Sequence, residues 1–462
     1  MKILYTLLIV ILANTSINSQ TLNFEWAKSI GGDSADISRC ITLDPTGNVY
    51  ITGYFKGTVD FNPGTSINNL TSTGEEDIFI QKLDSNGNFV WAKSIGGVSR
   101  DIARSIALDA LGFVYITGYF AGTADFDPGS ATYNLTSNGN DDVFILKLNN
   151  LGDFVWAKSV GATSRERGYS IALDNNGNIY TCGRFVDSVD FDPGAAISTL
   201  VSAEGEDVFI IKLNSSGSFI WAKSFAGTLQ DVGNFITTDV SGNVYVSGEF
   251  EGTTDFDPGA TTYNLTSNGY YDVFIAKLNG AGDFVWAKSF GGVDRDGINM
   301  TTIDNSGNVY TTGKFQNSVD FDPGTAIHNL TSNGDFDIFI QKLDASGNFL
   351  WAKSIGGTLY DQGESITTDN LGNSYVTGYY QQTVDFDPGT QSFPLTSNGA
   401  EDIFILKLDN IGDFSWAKSI GGPMSDNAYS IFSDASNNLY LTGYYQSTVD
   451  FDVSSSIFNF NF

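Results

Sequence analysis

The chain has 462 residues, with 53 acidic residues against 23 Lys and Arg, which gives a formal net charge of −30. Only 16% of the residues are charged and 41% are hydrophobic, so the composition excludes a disordered acidic chain. The shortage of Lys and Arg excludes electrostatic capture of nucleic acid, because phosphate binding needs basic stripes. One His and two Cys exclude a zinc site of the usual ligand set.

The first 19 residues have the pattern of a signal peptide. Lys2 precedes an apolar run from Ile3 to Ala13, which is too short to span a bilayer comfortably. The mostly polar run that follows predicts cleavage after Ser19. We therefore expect a secreted or cell-surface protein with no membrane span, in which residues 1–19 are the signal peptide and residues 20–462 form a single domain.

The rest of the chain is one unit repeated seven times. A Trp opens the sequence Trp-Ala-Lys-Ser at every interval of 65 residues, and no Trp lies elsewhere. The seven residues are Trp26, Trp91, Trp156, Trp221, Trp286, Trp351 and Trp416. The length alone would suggest several domains, but such a fixed period indicates a single repeat fold. Cys40 and Cys182 lie at different phases of the repeat and are expected to be free thiols.

Each unit predicts four β-strands, called A to D below. In the second unit the predicted bounds are Ser105–Asp109, Val114–Phe120, Asp142–Leu148 and Phe154–Ser159. Tight turns such as that ending at Gly177 join A to B and C to D, since Gly accepts the left-handed conformation there. Strands B and C are apolar on both alternating faces, which predicts sheets packed between neighbours.

Seven such units predict an all-β fold: a monomeric, seven-bladed β-propeller of four-stranded antiparallel blades. An open solenoid is the alternative. The chain begins with a lone strand D at Leu22–Ser29 and ends after strand B of the last unit, which indicates that the N-terminal strand closes an incomplete last blade. Strand C of that blade is unaccounted for: either the alternating segment Ile457–Phe462 substitutes for it, or the reading frame is truncated.

Three motifs of the repeat resemble those of a known bacterial family. They read Gly96-Gly97 followed by Asp101, Ile171-Ala172-Leu173-Asp174 followed by Gly177-Asn178-Ile179-Tyr180 and Gly183, and Asp207-Val208-Phe209-Ile210-Ile211-Lys212-Leu213. They resemble the SBBP β-propeller repeat over about residues 22–462. The resemblance implies a secreted or surface-attached propeller with no activity general to the family.

The Trp of each unit is predicted to wedge between adjacent blades, where each side chain would bury on the order of 200 Å². Stacking against a sugar is the alternative, although ligand-binding aromatic residues are usually few and unevenly placed.

The connection from strand B to strand C carries two acids in the sequence Asp-Phe-Asp-Pro-Gly. The candidate calcium ligands are Asp125, Asp127, Asp190, Asp192, Asp255, Asp257, Asp320, Asp322, Asp385 and Asp387. Side chains two residues apart in extended chain point the same way, and Ca²⁺ binds several such oxygens. The alternative is that these acids accept backbone N–H groups and cap the Pro-Gly turn. Calcium is the only cofactor that the sequence suggests.

Another acid follows each Trp after ten residues, in the connection from strand D to the next strand A. The seven are Asp36, Asp101, Glu166, Asp231, Asp296, Asp361 and Asp426. One interpretation is a ring of acids around a channel mouth, which would bind a cation. The other is that each acid accepts backbone hydrogen bonds.

Basic residues outside the repeated motifs gather where the copies disagree. Six are assigned to the D-to-A loops: Arg39, Arg100, Arg104, Arg165, Arg167 and Arg295. One repeat position holds Arg100, Arg165, Gln230, Arg295 and Tyr360, and another, near the end of strand B, holds Arg184 and Lys314. Arg and Tyr are favoured at interfaces, so these residues predict a binding face. The alternative is that the arginines neutralise the neighbouring acids Asp101, Glu166 and Asp296.

No catalytic constellation is found, because His328 is the only His and the repeated acids do not form one asymmetric active site. We therefore predict a non-catalytic binding or adhesion scaffold for an extracellular protein or glycan. The alternative is a propeller-type glycoside hydrolase or sialidase-like enzyme, in which Arg100, Arg165 and Arg295 converge on the substrate.

Overall fold

The computed structural model of the chain describes residues 5–13, 22–453 and 458–460, and the first of these ranges as backbone alone. Every regular element in these ranges is a β-strand, which confirms the all-β prediction. Within them, no helix has the length and hydropathy to cross a membrane. Cys40 and Cys182 are free thiols, as predicted. The predicted cleavage point after Ser19 lies outside the described residues.

Strands A to D form antiparallel sheets in the order A-B-C-D. Strand A comprises Ile37–Leu43, Asp101–Leu108, Arg167–Leu173, Asp231–Thr238, Gly297–Ile303, Gln362–Thr368 and Asn427–Ser433. Strand B comprises Val49–Phe55, Val114–Phe120, Ile179–Phe185, Val244–Asp255, Val309–Asp320, Ser374–Tyr380 and Asn438–Tyr445. Strand C comprises Asp77–Leu83, Asp142–Leu148, Asp207–Leu213, Asn264–Leu278, Asn329–Leu343 and Asp402–Leu408. Strand D comprises Leu22–Ile30, Phe89–Gly97, Phe154–Val160, Phe219–Gly227, Phe284–Phe290, Phe349–Ile355 and Phe414–Ile420.

A short two-stranded ribbon extends from the connection between strands B and C. Its separate pairs are Thr58–Asp60 with Asn69–Thr71, Thr123–Asp125 with Asn134–Thr136, Ser188–Asp190 with Thr199–Val201, Thr383–Asp385 with Pro394–Thr396, and Val449–Asp450 with Asn459–Phe460. In the fourth and fifth units the ribbon is continuous with the long strands B and C.

The register of each sheet is fixed by a bulge opposite a glycine of strand B. In the second unit, Val114 pairs with both Leu108 and Leu148, and the pairing of strands A and B shifts between Thr117 and Gly118. A Cβ on Gly118 would lie 1.9 Å from the carbonyl oxygen of Ile102, so no other residue fits. This contact explains the Gly that ends the Tyr-x-x-Gly motif.

The hydrophobic core lies between the sheets of consecutive units. Tyr50 and Ile78 of the first unit pack with Ile106 and Phe144 of the second in one buried cluster. All seven residues of strand B in the second unit are buried. Strands that are apolar on both faces are therefore covered on both faces, as the sequence pattern predicts.

The repeated Trp lies at the boundary between units. Trp91 packs edge-on against Tyr50, with 6.1 Å between ring centroids. Its Nε1 donates to the carbonyl oxygen of Asn150, in the following unit, at 3.3 Å. The turn residue Gly152 lies against the indole, where a Cβ would be 3.2 Å from the ring. These contacts place the Trp where the wedge hypothesis puts it.

The first and last parts of the chain share one sheet. Tyr5–Ala13 pairs with Asn438–Tyr445 on one side and with Leu22–Ile30 on the other, in the position that strand C has in the other units. Leu22–Ile30 therefore does not pair directly with strand B of the last unit. The apolar segment of the predicted signal peptide overlaps this strand, and its removal stays a prediction.

The C-terminal segment does not replace strand C. Asn459–Phe460 pairs with Val449–Asp450 in the outer ribbon, so that prediction is wrong for residues 458–460. Ile457, Asn461 and Phe462 lie outside the described residues.

Candidate functional site

The acid ten residues after each Trp is buried beneath the loop that leads into strand A. Asp101 Oδ2 accepts the N–H of Gly97 at 2.7 Å, and Asp296 Oδ2 accepts that of Gly292 at 2.7 Å. Burial raises the pKa of Asp101 to about 7 and that of Asp231 to about 8, because the charged form loses its hydration. The interpretation as backbone acceptors agrees with this geometry, whereas a ring of exposed acids does not.

A second row of buried acids lies in strand C, of which they are the first residue except in the two units where strand C is long. Asp142 Oδ2 accepts the N–H of Asn138 at 3.0 Å, and the equivalent residues are Asp77, Asp207, Asp272, Asp337 and Asp402. Burial raises the pKa of Asp77 and Asp207 to about 6. Burial raises the pKa of Glu166 to about 7, and the nearby charge of Asp142 acts in the same direction. Neighbouring units thus share close pairs of buried carboxyl groups.

The Asp-Phe-Asp-Pro-Gly acids cap their own loop. Asp125 Oδ1 accepts the N–H groups of Asp127 and Tyr133, at 3.0 and 2.8 Å. Asp127 Oδ1 accepts that of Gly129 at 2.8 Å, and Asn62 makes the same bond in the first unit. Among the described residues, no three His, Cys, Asp or Glu side chains are grouped to hold a metal ion. The geometry fits the turn-capping alternative, and calcium binding stays a prediction.

The predicted binding residues are here called the rim: Arg100, Arg165, Gln230, Arg295, Tyr360, Arg184 and Lys314. Arg165 is exposed. The side chain of Arg100 is 40% exposed and lies over Tyr119, with 5.5 Å from its guanidinium carbon to the ring centroid. The side chain of Arg295 is 54% exposed and lies over Tyr271 at 5.0 Å. Two of the rim arginines therefore pair with aromatic side chains.

The remaining rim residues contact one another and their neighbours. The hydroxyl of Tyr271 donates to Gln230, and Lys314 donates to the hydroxyl of Tyr360. The ring of Tyr360 is stacked on that of Tyr379, with 5.9 Å between centroids.

The rim arginines neutralise acids other than those named from the sequence. Arg100 lies 3.6 Å from Asp141, Arg295 donates to Glu249 at 3.1 Å, and Arg184 pairs with Glu206. The expected partners Asp101, Glu166 and Asp296 each accept a backbone N–H group instead.

Three arginines assigned to loops lie within strand A: Arg39, Arg104 and Arg167. Arg167 opens its strand and pairs with Asp141 at 2.6 Å. These arginines were wrongly placed in loops because a polar residue interrupts the apolar run from which strand A was predicted.

A cavity of about 330 Å³ lies where the seven A strands meet, and we call it the axial cavity. One residue from each unit lines it at the same repeat position: Arg39, Arg104, Tyr169, Asn234, Asn299, Glu364 and Tyr429. The rim residues Arg295 and Lys314 also line it, so the cavity opens toward the rim. The residue at this position varies between units. The residue three positions earlier, in contrast, is a buried acid in every unit.

The charges in the axial cavity are unevenly placed. Arg39 lies over Tyr429 at 4.3 Å, and Arg104 lies over Tyr169 at 5.3 Å. Glu364 accepts from Gln362 Nε2 at 2.9 Å. Burial raises the pKa of the Glu364 carboxyl above its usual range, while nearby cations oppose the shift. The cavity is an asymmetric polar site within a repetitive fold.

His328 takes no part in this site. Its ring packs against Phe349, with 4.8 Å between centroids, and its backbone N–H donates to Asp320.

Comparison with known families identifies the repeat. The β-propeller repeat named SBBP matches residues 25–54 and 350–379. The expected resemblance is confirmed: the chain carries β-propeller repeats of the SBBP family at these two places.

The chain is also similar to two curated proteins. It is 24% identical over 447 residues to the "Uncharacterized WD repeat-containing protein L264" of Acanthamoeba polyphaga mimivirus, covering 81% of this chain and 32% of that protein. It is 22% identical over 462 residues to the "Regulatory protein FlaEY" of Caulobacter vibrioides, covering 94% of this chain and 45% of that protein. The chain therefore spans less than half the length of either relative.

Two solved structures align with most of the chain. A protein of unknown function from Bacteroides caccae is 10% identical, with a TM-score of 0.35, and the alignment covers 80% of this chain and 93% of that one. Sqt1 from Chaetomium thermophilum is 8% identical, with a TM-score of 0.36, covering 89% and 96%. Neither likeness defines the fold at such TM-scores.

Proposed function

We propose that the seven units close into a seven-bladed β-propeller, which acts as a secreted or cell-surface, non-catalytic binding or adhesion scaffold for an extracellular protein or glycan. In support of closure, strand A of the first unit contacts strands A and B of the last unit. Ser38 Oγ also donates to the carbonyl oxygen of Gly443 at 2.8 Å. Secretion rests on the signal-peptide pattern of residues 1–19.

The observation that carries the binding role is the contrast between the rim and the residues beside it. Arg100, Gln230 and Tyr360 differ at one repeat position, yet an acid follows each of them and is fully buried. Packing therefore requires the acid but does not restrict the type of the residue that precedes it. Varied side chains on a rigid frame are the usual way in which loops carry recognition.

The test is titration of the protein with a panel of extracellular glycan fragments, with bound and released sugar both measured. We expect saturable binding without product. Replacing Arg100, Arg165 and Arg295 together with Ala weakens binding and leaves the melting temperature nearly unchanged. The matched control replaces Lys93, Lys158 and Lys288 on strand D, which removes the same charge away from the rim.

If the rim variant unfolds while the control does not, the arginines are structural through their contacts with Asp141 and Glu249. The binding role of the rim is then contradicted.

A glycoside hydrolase is the second candidate, and one observation favours it. Glu249 and Glu364 both line the axial cavity, together with Tyr429, and no other unit has an acid at the position of Glu364. Two carboxylates flanking the scissile bond are what such hydrolysis requires. Release of sugar by the wild type, abolished in Glu364→Gln, would establish this function instead.

A further inference from the structure

The axial cavity holds two arginines that form no ion pair within 4 Å with an acid of the described part of the chain, and the one charge that acts on both is that of Glu364. Arg39 and Arg104 occupy the same position of neighbouring A strands and both line the cavity. The ion pairs among described residues involve other cations. One carboxyl group, that of Glu364, facing two cations leaves an excess of positive charge, which is unfavourable unless an anion compensates it.

The donor groups of these arginines are largely unused. Arg39 Nη2 donates to the hydroxyl of Tyr54 at a long 3.4 Å, and its buried Nε has no hydrogen-bond partner within the described ranges. Arg104 makes no hydrogen bond to a described residue and only lies over Tyr169. Burial and the neighbouring charge of Arg39 both lower the pKa of Arg104. Guanidinium groups in this state are ready to bind an anion.

Other units show that packing does not require Arg at this position. Asn234 Nδ2 donates to the carbonyl oxygen of Ile298 at 3.0 Å, and Asn299 Nδ2 donates to that of Gly363 at 2.8 Å. Each Asn therefore links its strand to the next one with a satisfied amide. Arg39 and Arg104 make no such link, so ring packing does not explain them.

We propose that the axial cavity binds an oxyanion, the carboxylate of a sugar acid, between Arg39 and Arg104. Guanidinium groups match the two oxygens of a carboxylate, and the rings of Tyr429 and Tyr169 hold the two arginines in place. Glu364 lines the same cavity, where it accepts a hydrogen bond from a sugar hydroxyl and disfavours a multiply charged anion such as free phosphate. The cavity volume of about 330 Å³ suits a monosaccharide.

This inference goes beyond the proposed function, because a ligand inside the cavity does not depend on a partner bound at the rim. It is tested by isothermal titration of the full chain with sodium glucuronate, inorganic phosphate and glucose at constant ionic strength. We expect glucuronate to bind, phosphate to bind more weakly and glucose to give no binding. Arg104→Met and Arg39→Met each weaken glucuronate about tenfold or more, as loss of a charge-assisted hydrogen bond predicts.

Lys158→Met is the matched control, since it removes one positive charge from strand D, outside both the rim and the axial cavity, and it leaves glucuronate affinity unchanged. Arg104→Lys keeps the charge but loses the planar fork, so it also weakens binding and serves if Arg104→Met does not fold. Absence of binding by both anions, or equal weakening by Lys158→Met, overturns the inference. Tighter binding of phosphate than of glucuronate supports an oxyanion site and overturns its assignment to a sugar acid.

Discussion

The guanidinium carbon of Arg39 lies 4.3 Å from the ring centroid of Tyr429, although the two residues belong to the first and the last repeat unit. Arg39 lies in strand A of the first unit and Tyr429 in strand A of the last. The contact places the two ends of the repeat array at one cavity. Residues that vary between the repeat units are thereby brought together at a single asymmetric site.

Stability is expected to fall as the pH rises from about 5 to about 8, because the buried acids hold protons in the folded state. Burial raises the pKa of Asp36, Asp101, Glu166, Asp296, Asp361 and Asp426 to about 7. A carboxyl group whose pKa is higher in the folded than in the unfolded state contributes to stability. This contribution is complete below the pKa of the unfolded state and is lost as the pH rises through the pKa of the folded state. Thermal melting across this pH range measures the effect.

The variant Asp231→Asn distinguishes two causes of the pH dependence of stability. One is the protonation of these buried acids, and the other is the general charge repulsion within a chain of net charge −30. Burial raises the pKa of Asp231 to about 8, so its removal should make the dependence of melting temperature on pH less steep. An unaltered slope in Asp231→Asn would contradict the assignment.

Asp125→Ala is expected to destabilise the protein by roughly 1–3 kcal/mol, because two backbone N–H groups lose their acceptor. The loss should be equal in calcium and in chelator, as measured by denaturant unfolding. Asp127→Asn is the control and should be nearly neutral, since Asn62 makes the equivalent bond. A loss seen only in calcium would show that these acids hold the ion.

Gly118→Ala is expected to cost on the order of 3 kcal/mol, because its Cβ would overlap the carbonyl oxygen of Ile102. Gly129→Ala in the same unit meets only the side-chain oxygen of Asp127, at 2.9 Å, which can move. Chemical denaturation of both variants measures the difference. Equal stability of the two would argue against the bulge in strand A.

Loss of the first strand D should lower the melting temperature sharply. A chain that begins after Ile30 lacks the strand to which Ser29 belongs, and the hydrogen bond between the hydroxyl groups of Ser29 and Tyr445, at 2.6 Å, is lost with it. The comparison is with a chain that begins at Gln20. Identical melting curves would indicate that Leu22–Ile30 is not an integral strand.

The strands of the fold were largely predictable from local pattern. Strand B of the second unit has the predicted bounds Val114–Phe120, because turn residues flank a continuous apolar run. Strand A was predicted to begin at Ser105 and begins at Asp101, since the bulge opposite Gly118 and the polar Arg104 break its alternation. Periodicity alone does not reveal a strand interrupted in this way.

The candidate site was harder to predict, because it depends on neighbours far apart in sequence. Arg39 and Arg104 were visible as basic residues, and their spacing to Tyr169, Glu364 and Tyr429 by whole multiples of the 65-residue repeat was readable. Only the arrangement of the A strands shows that this phase faces a cavity. Which buried acids accept backbone N–H groups and which pair with arginine likewise required the structure, since Asp101 accepts from Gly97 whereas Asp141 pairs with Arg167.

A double-mutant cycle between Arg39 and Tyr429 tests most directly the claim that the repeat units close around one axial cavity. The free energy of unfolding is measured for the wild type, Arg39→Met, Tyr429→Leu and the double variant. We expect a coupling of about 0.5–2 kcal/mol, as for a desolvated cation–π pair. Strictly additive effects of the two substitutions would contradict the closure.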